Sequence, residues 1–422
     1  MVSNRSNEED QNPSFDTPQG NLDSTRRCPS PRFSEETESR DQQFNTHFAQ
    51  PTVSARHASG GLPPNELVKT YAKLTSMEQL SLRGNMVIKA KLGTGGQGDV
   101  YFAESTGADG FVQPVALKFF SPEPFRSEED YCQAMSYNAA VASRIASIQH
   151  DNIAYVRSWV SRDSIRIMEM EWVDGYDLQR LQSESTLRWM RKHLSPNELK
   201  FRLEVVIAPG KERPRLKPGI SLTAMRNCLS ALKSLHENGI VHCDLKPANI
   251  MLKRTGCSKI IDYGAACFYT EDAQPSKLCT PRYAAPEILS GARPTPQSDI
   301  CSLGYVLIEL LGGLNLFVNP LNPQKGLPLE SMIRQKKDLP EMLTRVLPGD
   351  VSANADLVEF CRKMIHPDLD QRFATADDAI VLSDGLSNIM RGLITAKLAS
   401  EFDFDIRAWL SNLDLDRRTP SS

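Results

Sequence analysis

No two of the nine cysteines form a C-x-x-C pair; they stand singly at 28, 132, 228, 243, 257, 267, 279, 301 and 361. That scatter argues against a zinc ribbon or a disulfide scaffold, and free thiols in a reducing compartment are expected. An excess of one charge is also missing. Lys plus Arg number 49 and Asp plus Glu 52, for a net charge of −3. Nothing in that balance draws the chain to nucleic acid or to an anionic membrane. Long apolar runs are absent: YVLIELLGGLNLFV (Tyr305–Val318) is too short and too broken by glycine to span a bilayer. Met1–Phe15 lacks the apolar core of a secretory signal. The expectation is an intracellular, cytoplasmic protein with no membrane span and no nucleic-acid partner.

Aliphatic residues are scarce up to residue 64, where Ser, Asn, Gln, Asp, Glu, Arg and Pro dominate. Such a segment cannot bury enough surface to offset chain entropy, so 1–64 reads as a disordered tail. Within it, RRCPSPRFSEE (Arg26–Glu36) reads as a plain solvated stretch or as a phosphorylatable docking segment. Leu67, Tyr71, Leu74 and Met77 then recur at helical spacing, which predicts a flanking helix within 65–84.

From Asn85 the texture changes. MVIKAKL, DVYFAES, QPVALKFF, NIAYVRSWV and SIRIMEMEWV read as strands, with one Ala-rich helix among them. After Asp177, helices dominate: TAMRNCLSALKSLHENG, SDICSLGYVLIELLGG and ADLVEFCRKMIH. A small sheet-rich lobe (85–173) followed by a larger helical lobe (174–386) is an α+β layout. An insertion at about 188–217 carries nine Lys or Arg against three Glu. It reads as a solvated excursion or as a docking face for an acidic partner. Beyond Leu386, Ile389, Leu393, Ala396, Leu398 and Phe402 continue a helical spacing, so 387–422 reads as a helical extension with a frayed end, packing on the helical lobe.

Four constellations carry chemistry. LGTGGQGDV (Leu92–Val100) places Gly93, Gly95 and Gly98 between two strands. A glycine hairpin can lie flat over phosphates because no Cβ keeps its N–H groups away. PVALKFF puts one cation, Lys118, in an apolar strand within reach of that hairpin, where it suits a phosphate. In HCDLKPAN (His242–Asn249), Asp244 can orient an incoming hydroxyl or take its proton, Lys246 can neutralise a moving phosphoryl group, and Asn249 can offer an amide oxygen to a hard cation. In KIIDYGAA, Asp262 ends an apolar strand, where a lone carboxylate calls for a metal ion. Together these are the parts for phosphoryl transfer.

In this order the motifs resemble the protein kinases: G-x-G-x-x-G-x-V at 93–100, V-A-x-K at 115–118, H-x-D-L-K-P-x-N at 242–249, D-Y-G at 262–264 and A-P-E at 285–287. Small-molecule kinases share the Asp…Asn loop but lack the A-P-E segment. The resemblance covers Asn85–Leu386 and implies the two-lobed protein-kinase fold, ATP and Mg2+ as cofactors and a protein substrate. By resemblance, Lys118 grips the α/β phosphates, and Asn249 and Asp262 hold magnesium. Met170 guards the back of the nucleotide pocket, Glu171–Val173 forms the hinge, and Leu92, Val100, Ala116 and Met251 sandwich the purine. Glu287 matches a structural partner of Arg372, and Asp299 matches the brace of the loop at His242. Lys246 with CTPRYAAPE resembles the serine/threonine branch, in which Thr280 bonds toward Asp244 and Lys246.

Two departures from the family pattern stand out. Cys243 occupies the place of an Arg that pairs with an activation-loop phosphate, and Ser276 matches the usual phosphosite. Activity independent of that phosphate is therefore expected. The small-lobe helix that supplies a Glu to the strand Lys has Val141 at that position, and no acid occurs between Asp130 and Asp151. Asn138, a shifted Glu128 or Glu129, or Asp262 could stand in. The alternative to an active serine/threonine kinase is a non-catalytic module that binds nucleotide or partners.

Overall fold

The computed structural model describes residues 65–82, 85–269, 279–319, 326–395 and 402–413. The expectations for 1–64, for Ser276, for Ala396 and Leu398 and for the chain beyond Leu413 lie outside the described residues.

Asn65–Thr75 forms α1, burying Leu67, Tyr71 and Leu74 on one stripe. Met77 falls past its end and is exposed. Next come β1 (Gln79–Ser81), β2 (Asn85–Gly95), β3 (Gly98–Thr106) and β4 (Val112–Phe120), then α2 (Glu128–Ala146), β5 (Val156–Arg162) and β6 (Ile165–Glu171). The strands form one antiparallel sheet in the order β1-β2-β3-β4-β6-β5. The register Val100↔Lys118 and Ala116↔Met170 lays four sequence-predicted pocket residues across three neighbouring strands. α2 starts where Ser127 accepts the N–H of Asp130. Its first-turn acids Glu128, Glu129 and Asp130 suit the positive end of the helix dipole.

The larger lobe opens with β7 (Gly175–Asp177), α3 (Leu178–Leu181), α4 (Glu184–His193), α5 (Pro196–Val205), β8 (Ile207–Ala208) and β9 (Arg215–Leu216). α6 (Pro218–Glu237) is apolar on nearly every side and lies in the core. β10 (Ile240–Val241), β11 (Ile250–Lys253), β12 (Ser258–Ile260) and β13 (Cys267–Phe268) carry the motif loops between them. Then follow α7 (Pro286–Leu289), α8 (Pro296–Gly312), α9 (Leu329–Val346), α10 (Gly349–Ser352), α11 (Ala355–Met364), α12 (Ala376–Val381), α13 (Leu386–Thr395) and α14 (Phe402–Asn412). A Thr295–Ser298 capping box starts α8, and Gly313 ends it at φ 58°, the left-handed conformation that glycine adopts without strain.

The basic insertion is folded. Ser195 and Glu198 form a capping box on α5, and Ile207 pairs with Leu216 in a buried hairpin. Two of its cations turn inward. Arg213 donates to Glu309, a carboxylate buried at 0% exposure within α8, and Arg215 pairs with Asp350 at 2.7 Å. Glu309 also takes bonds from Arg282, from the Tyr283 hydroxyl at 2.8 Å and from the Leu316 N–H at 2.9 Å. A buried carboxylate needs such a set of donors. Arg188, Arg191, Lys192, Lys200 and Lys211 remain exposed.

At the other end, α14 buries Ile406, Trp409 and Leu410. It is fastened by Tyr176, whose hydroxyl donates to the Leu413 carbonyl at 2.6 Å, and by Arg407, which donates to the Thr255 carbonyl at 2.7 Å. This helix thus packs beside β7 and the β11–β12 turn.

Candidate active site

A cavity of about 550 Å³ lies between the sheet and the helical lobe. Leu92, Gly93, Gly95, Gly98 and Val100 form its roof, Ala116 and Lys118 its back wall, and Met170, Glu171 and Val173 one side. Met251, Asn249 and Asp262 form its floor, and Asp244, Lys246 and Thr280 stand at its front. Every residue that the motifs singled out for phosphate, purine, cation and acceptor therefore borders one space.

The glycines of the roof differ in what holds them. Gly98 has φ 139°, and a Cβ there would lie 1.9 Å from the Phe119 carbonyl oxygen, so the backbone itself demands glycine. At Gly93 a Cβ would meet nothing within 4 Å, and at Gly95 only the Gly98 carbonyl oxygen, at 4.0 Å. Packing does not require glycine at those two places; the open space suits a ligand group such as a phosphate. On the side wall, the Glu171 carboxylate is drawn outward by Lys259 at 2.6 Å and by the Tyr155 N–H at 3.2 Å. The backbone N–H of Val173 has no hydrogen-bond partner among the described residues and borders the cavity.

At the front, three side chains close a ring. Thr280 donates its hydroxyl and its N–H to Asp244 Oδ1 at 2.6 and 3.0 Å. Lys246 Nζ donates to Asp244 Oδ2 at 2.7 Å and to Thr280 Oγ1 at 3.1 Å. Asn249 Nδ2 donates to the Asp244 carbonyl at 2.8 Å, which leaves the amide oxygen unbonded among the described residues. The loop beneath is held from α8. Asp299 accepts the N–H groups of His242 at 2.8 Å and Cys243 at 2.9 Å, and the His236 ring N–H at 3.0 Å. Cys243 sits at φ 66°, with its thiol 3.4 Å from that of Cys267.

At the back, Lys118 is only 2% exposed and donates to Asp262 Oδ1 and to Gln97 Oε1, the latter at 2.8 Å. Burial would raise the Asp262 carboxyl, but the Lys118 ammonium and the Gly264 N–H hold it down at about 2. It is thus an anion across the physiological range. With the free amide oxygen of Asn249 it gives a donor set of hard oxygens, which fits a magnesium-type cation. Asp262 is itself at φ 63°. Tyr263, next in the chain, donates its hydroxyl to the Ile260 carbonyl at 2.8 Å and meets the edge of the His242 ring.

A family model described as protein kinase domain matches residues 86–381. The chain belongs to the protein kinase family. Among curated proteins it is similar to the serine/threonine-protein kinase PrkC of Bacillus subtilis, 29% identical over 235 residues that make up 55% of this chain and 31% of that protein. It is also similar to the serine/threonine-protein kinase PknH of Mycobacterium tuberculosis, 28% identical over 236 residues, 55% of this chain and 32% of that protein. A shorter stretch of 94 residues is 45% identical to the dual specificity tyrosine-phosphorylation-regulated kinase 3 of Homo sapiens, 22% of this chain and 16% of that protein. The chain spans about a third or less of the length of these relatives.

Two features of this kinase domain bear on the departures from the family pattern. Val141 is 1% exposed in the small-lobe core, and neither Asn138, Glu128 nor Glu129 bonds Lys118. Of the stand-ins considered from sequence, Asp262 is the one that meets the lysine. The second partner, Gln97, was missed. Its only sequence signal is a long amide side chain at the tip of the glycine hairpin. The Glu287–Arg372 pair forms through both carboxylate oxygens, at 2.7 and 3.2 Å.

Proposed function

We propose that this kinase domain transfers the terminal phosphoryl group of ATP to serine and threonine hydroxyls of protein substrates. The observation that carries the reading is the closed Asp244–Lys246–Thr280 ring, standing on the same cavity as Lys118, Asn249 and Asp262. In this reading Leu92, Val100 and Ala116 cover the purine from above and Met251 from below, with the backbone at Glu171 and Val173 pairing its edge. Gly93, Gly95 and Gly98 let the hairpin approach the phosphates, and Lys118 grips them. Asp244 orients the acceptor hydroxyl and takes its proton, while Lys246 offsets charge on the phosphoryl oxygens and Thr280 fixes both. Asn249 and Asp262 supply the oxygens for Mg2+, which when bound neutralises phosphate charge.

Cys243 offers no cation to a phosphate on the activation loop, so activity in this reading does not depend on that modification. Ser276→Ala is expected to leave turnover unchanged; its loss in that variant sinks the idea. A cytoplasmic setting matches the free thiols. The exposed cations Arg188, Arg191, Lys192, Lys200 and Lys211 provide a face for an acidic protein partner.

The deciding experiment is phosphate incorporation, followed by mass spectrometry, in wild type beside Asp244→Asn. Incorporation that the variant lacks is expected. Equal signals in both, or none with either Mg2+ or Mn2+, overturns the reading. A second reading, a nucleotide-binding module without transfer, is favoured by the absence of an α2 carboxylate at Lys118; it predicts ATP binding with no incorporation.

A further inference from the structure

A buried ammonium requires acceptors, and α2 gives Lys118 none: its acids lie in the first turn and Val141 is in the core. The acceptor comes instead from the roof. The tip of the β2–β3 hairpin is tied to the end of β4 by the Ser121 N–H, which donates to the Gln97 carbonyl at 2.9 Å. Gly98 beside it approaches the β4 backbone so closely that no Cβ fits. This anchoring turns the Gln97 side chain inward, where its Oε1 meets Lys118 Nζ at 2.8 Å. The space for that contact is left by Gly264. A Cβ there would stand 1.7 Å from Gln97 Oε1 and 2.4 Å from Lys118 Nζ. Three glycine or backbone features thus converge on one hydrogen bond.

We propose that Gln97 is a positioning residue for Lys118, its amide oxygen serving in place of the carboxylate that α2 lacks. The inference rests on reading the cavity as an ATP site. An uncharged partner leaves the ammonium its full charge toward phosphate, with Asp262 as its only anionic neighbour among the described residues. Because Gln97 belongs to the hairpin that covers the phosphates, seating the hairpin and orienting the lysine become one event.

The test uses the full chain with Gln97→Met, which keeps length but removes the acceptor, and Gln97→Glu, which restores an oxygen at the same reach. Three assays are run: steady-state kinetics for kcat and KM of ATP, calorimetry for ATP affinity, and labelling of Lys118 by an acyl phosphate of ATP, quantified by mass spectrometry. Gln97→Met is expected to keep the wild-type Tm while losing about tenfold in kcat/KM and in Lys118 labelling. Gln97→Glu is expected to stay within about threefold of wild type in both. A Met variant equal to wild type overturns the proposal. So does a Glu variant as impaired as the Met variant, since the shape of the hairpin tip would then be what matters. If wild type shows no transfer beyond Asp244→Asn, the kinase reading falls, while ATP affinity and Lys118 labelling in the same variants still decide whether Gln97 holds the lysine.

Discussion

Asp299 Oδ1, in the buried first turn of α8, accepts the N–H of Cys243 at 2.9 Å, while Cys243 is held at φ 66°. The carboxylate therefore fixes a left-handed turn that a non-glycine residue does not adopt freely. Asp244 follows directly in the chain and inherits its direction from that turn.

Asp299→Ala leaves three N–H groups, those of the His242 and Cys243 backbone and of the His236 ring, without their acceptor. A stability loss of roughly 3 kcal/mol is expected, measured by urea unfolding. kcat should fall far more than the affinity for ATP, because the residues proposed to contact the nucleotide lie on the other walls of the cavity. Equal losses in both would contradict this division.

The roof glycines should separate by mechanism. Gly98→Ala forces a Cβ against the Phe119 carbonyl at a φ of 139° and is expected to cost roughly 2 kcal/mol or more in stability as well as ATP affinity. Gly93→Ala meets open space, so its Tm should match wild type while ATP affinity drops. Thermal unfolding with and without ATP checks both variants in one series.

Glu309 gathers Arg213, Arg282, Tyr283 and the Leu316 N–H at one buried point. Glu309→Ala strands all four donors and is expected to destabilise by roughly 3–5 kcal/mol. Arg213→Met, which removes one partner and keeps apolar volume, should cost clearly less. Denaturant midpoints should rank the two in that order.

Lys336, at 0% exposure, lies 4.0 Å from the ring centres of Tyr305 and Phe317 and donates to the Arg282 carbonyl at 2.8 Å. Burial pushes its ammonium down to about 7 from the ordinary 10.5, against upward pulls from Cys301, Cys279, Glu309 and Glu287. Between those two values the unfolded chain binds more protons than the folded one, so stability rises as pH increases from 7 toward 10.5. Tm measured across that range should climb in wild type and climb less in Lys336→Met. Parallel curves would show that Lys336 does not titrate there.

Much of the site was legible because its chemistry sits in short contiguous stretches. HCDLKPAN places Asp244, Lys246 and Asn249 within six residues, and chain geometry alone keeps them together. Val100 and Ala116 come together by hairpin pairing of the consecutive strands β3 and β4, whereas Met170 joins them because β6 pairs with β4 across the intervening α2 and β5. The insertion was less legible. Its cations looked like a single solvated face, yet Arg213 and Arg215 turn inward because Glu309 and Asp350, about a hundred residues or more downstream, await them.

The small sheet-rich and larger helical lobes, the order of the phosphoryl-transfer motifs and the lack of a carboxylate near Val141 are all readable from the residues alone. Those are properties of local pattern and of residue identity. What Lys118 meets instead was settled by the folding of distant segments onto one another. Gln97 and Asp262 reach it from two different loops, and the Gln97 contact exists because the hairpin is pinned to Ser121 and position 264 has no side chain. Contacts of that kind depend on how separate segments fold back on one another, and no periodicity along the chain records them.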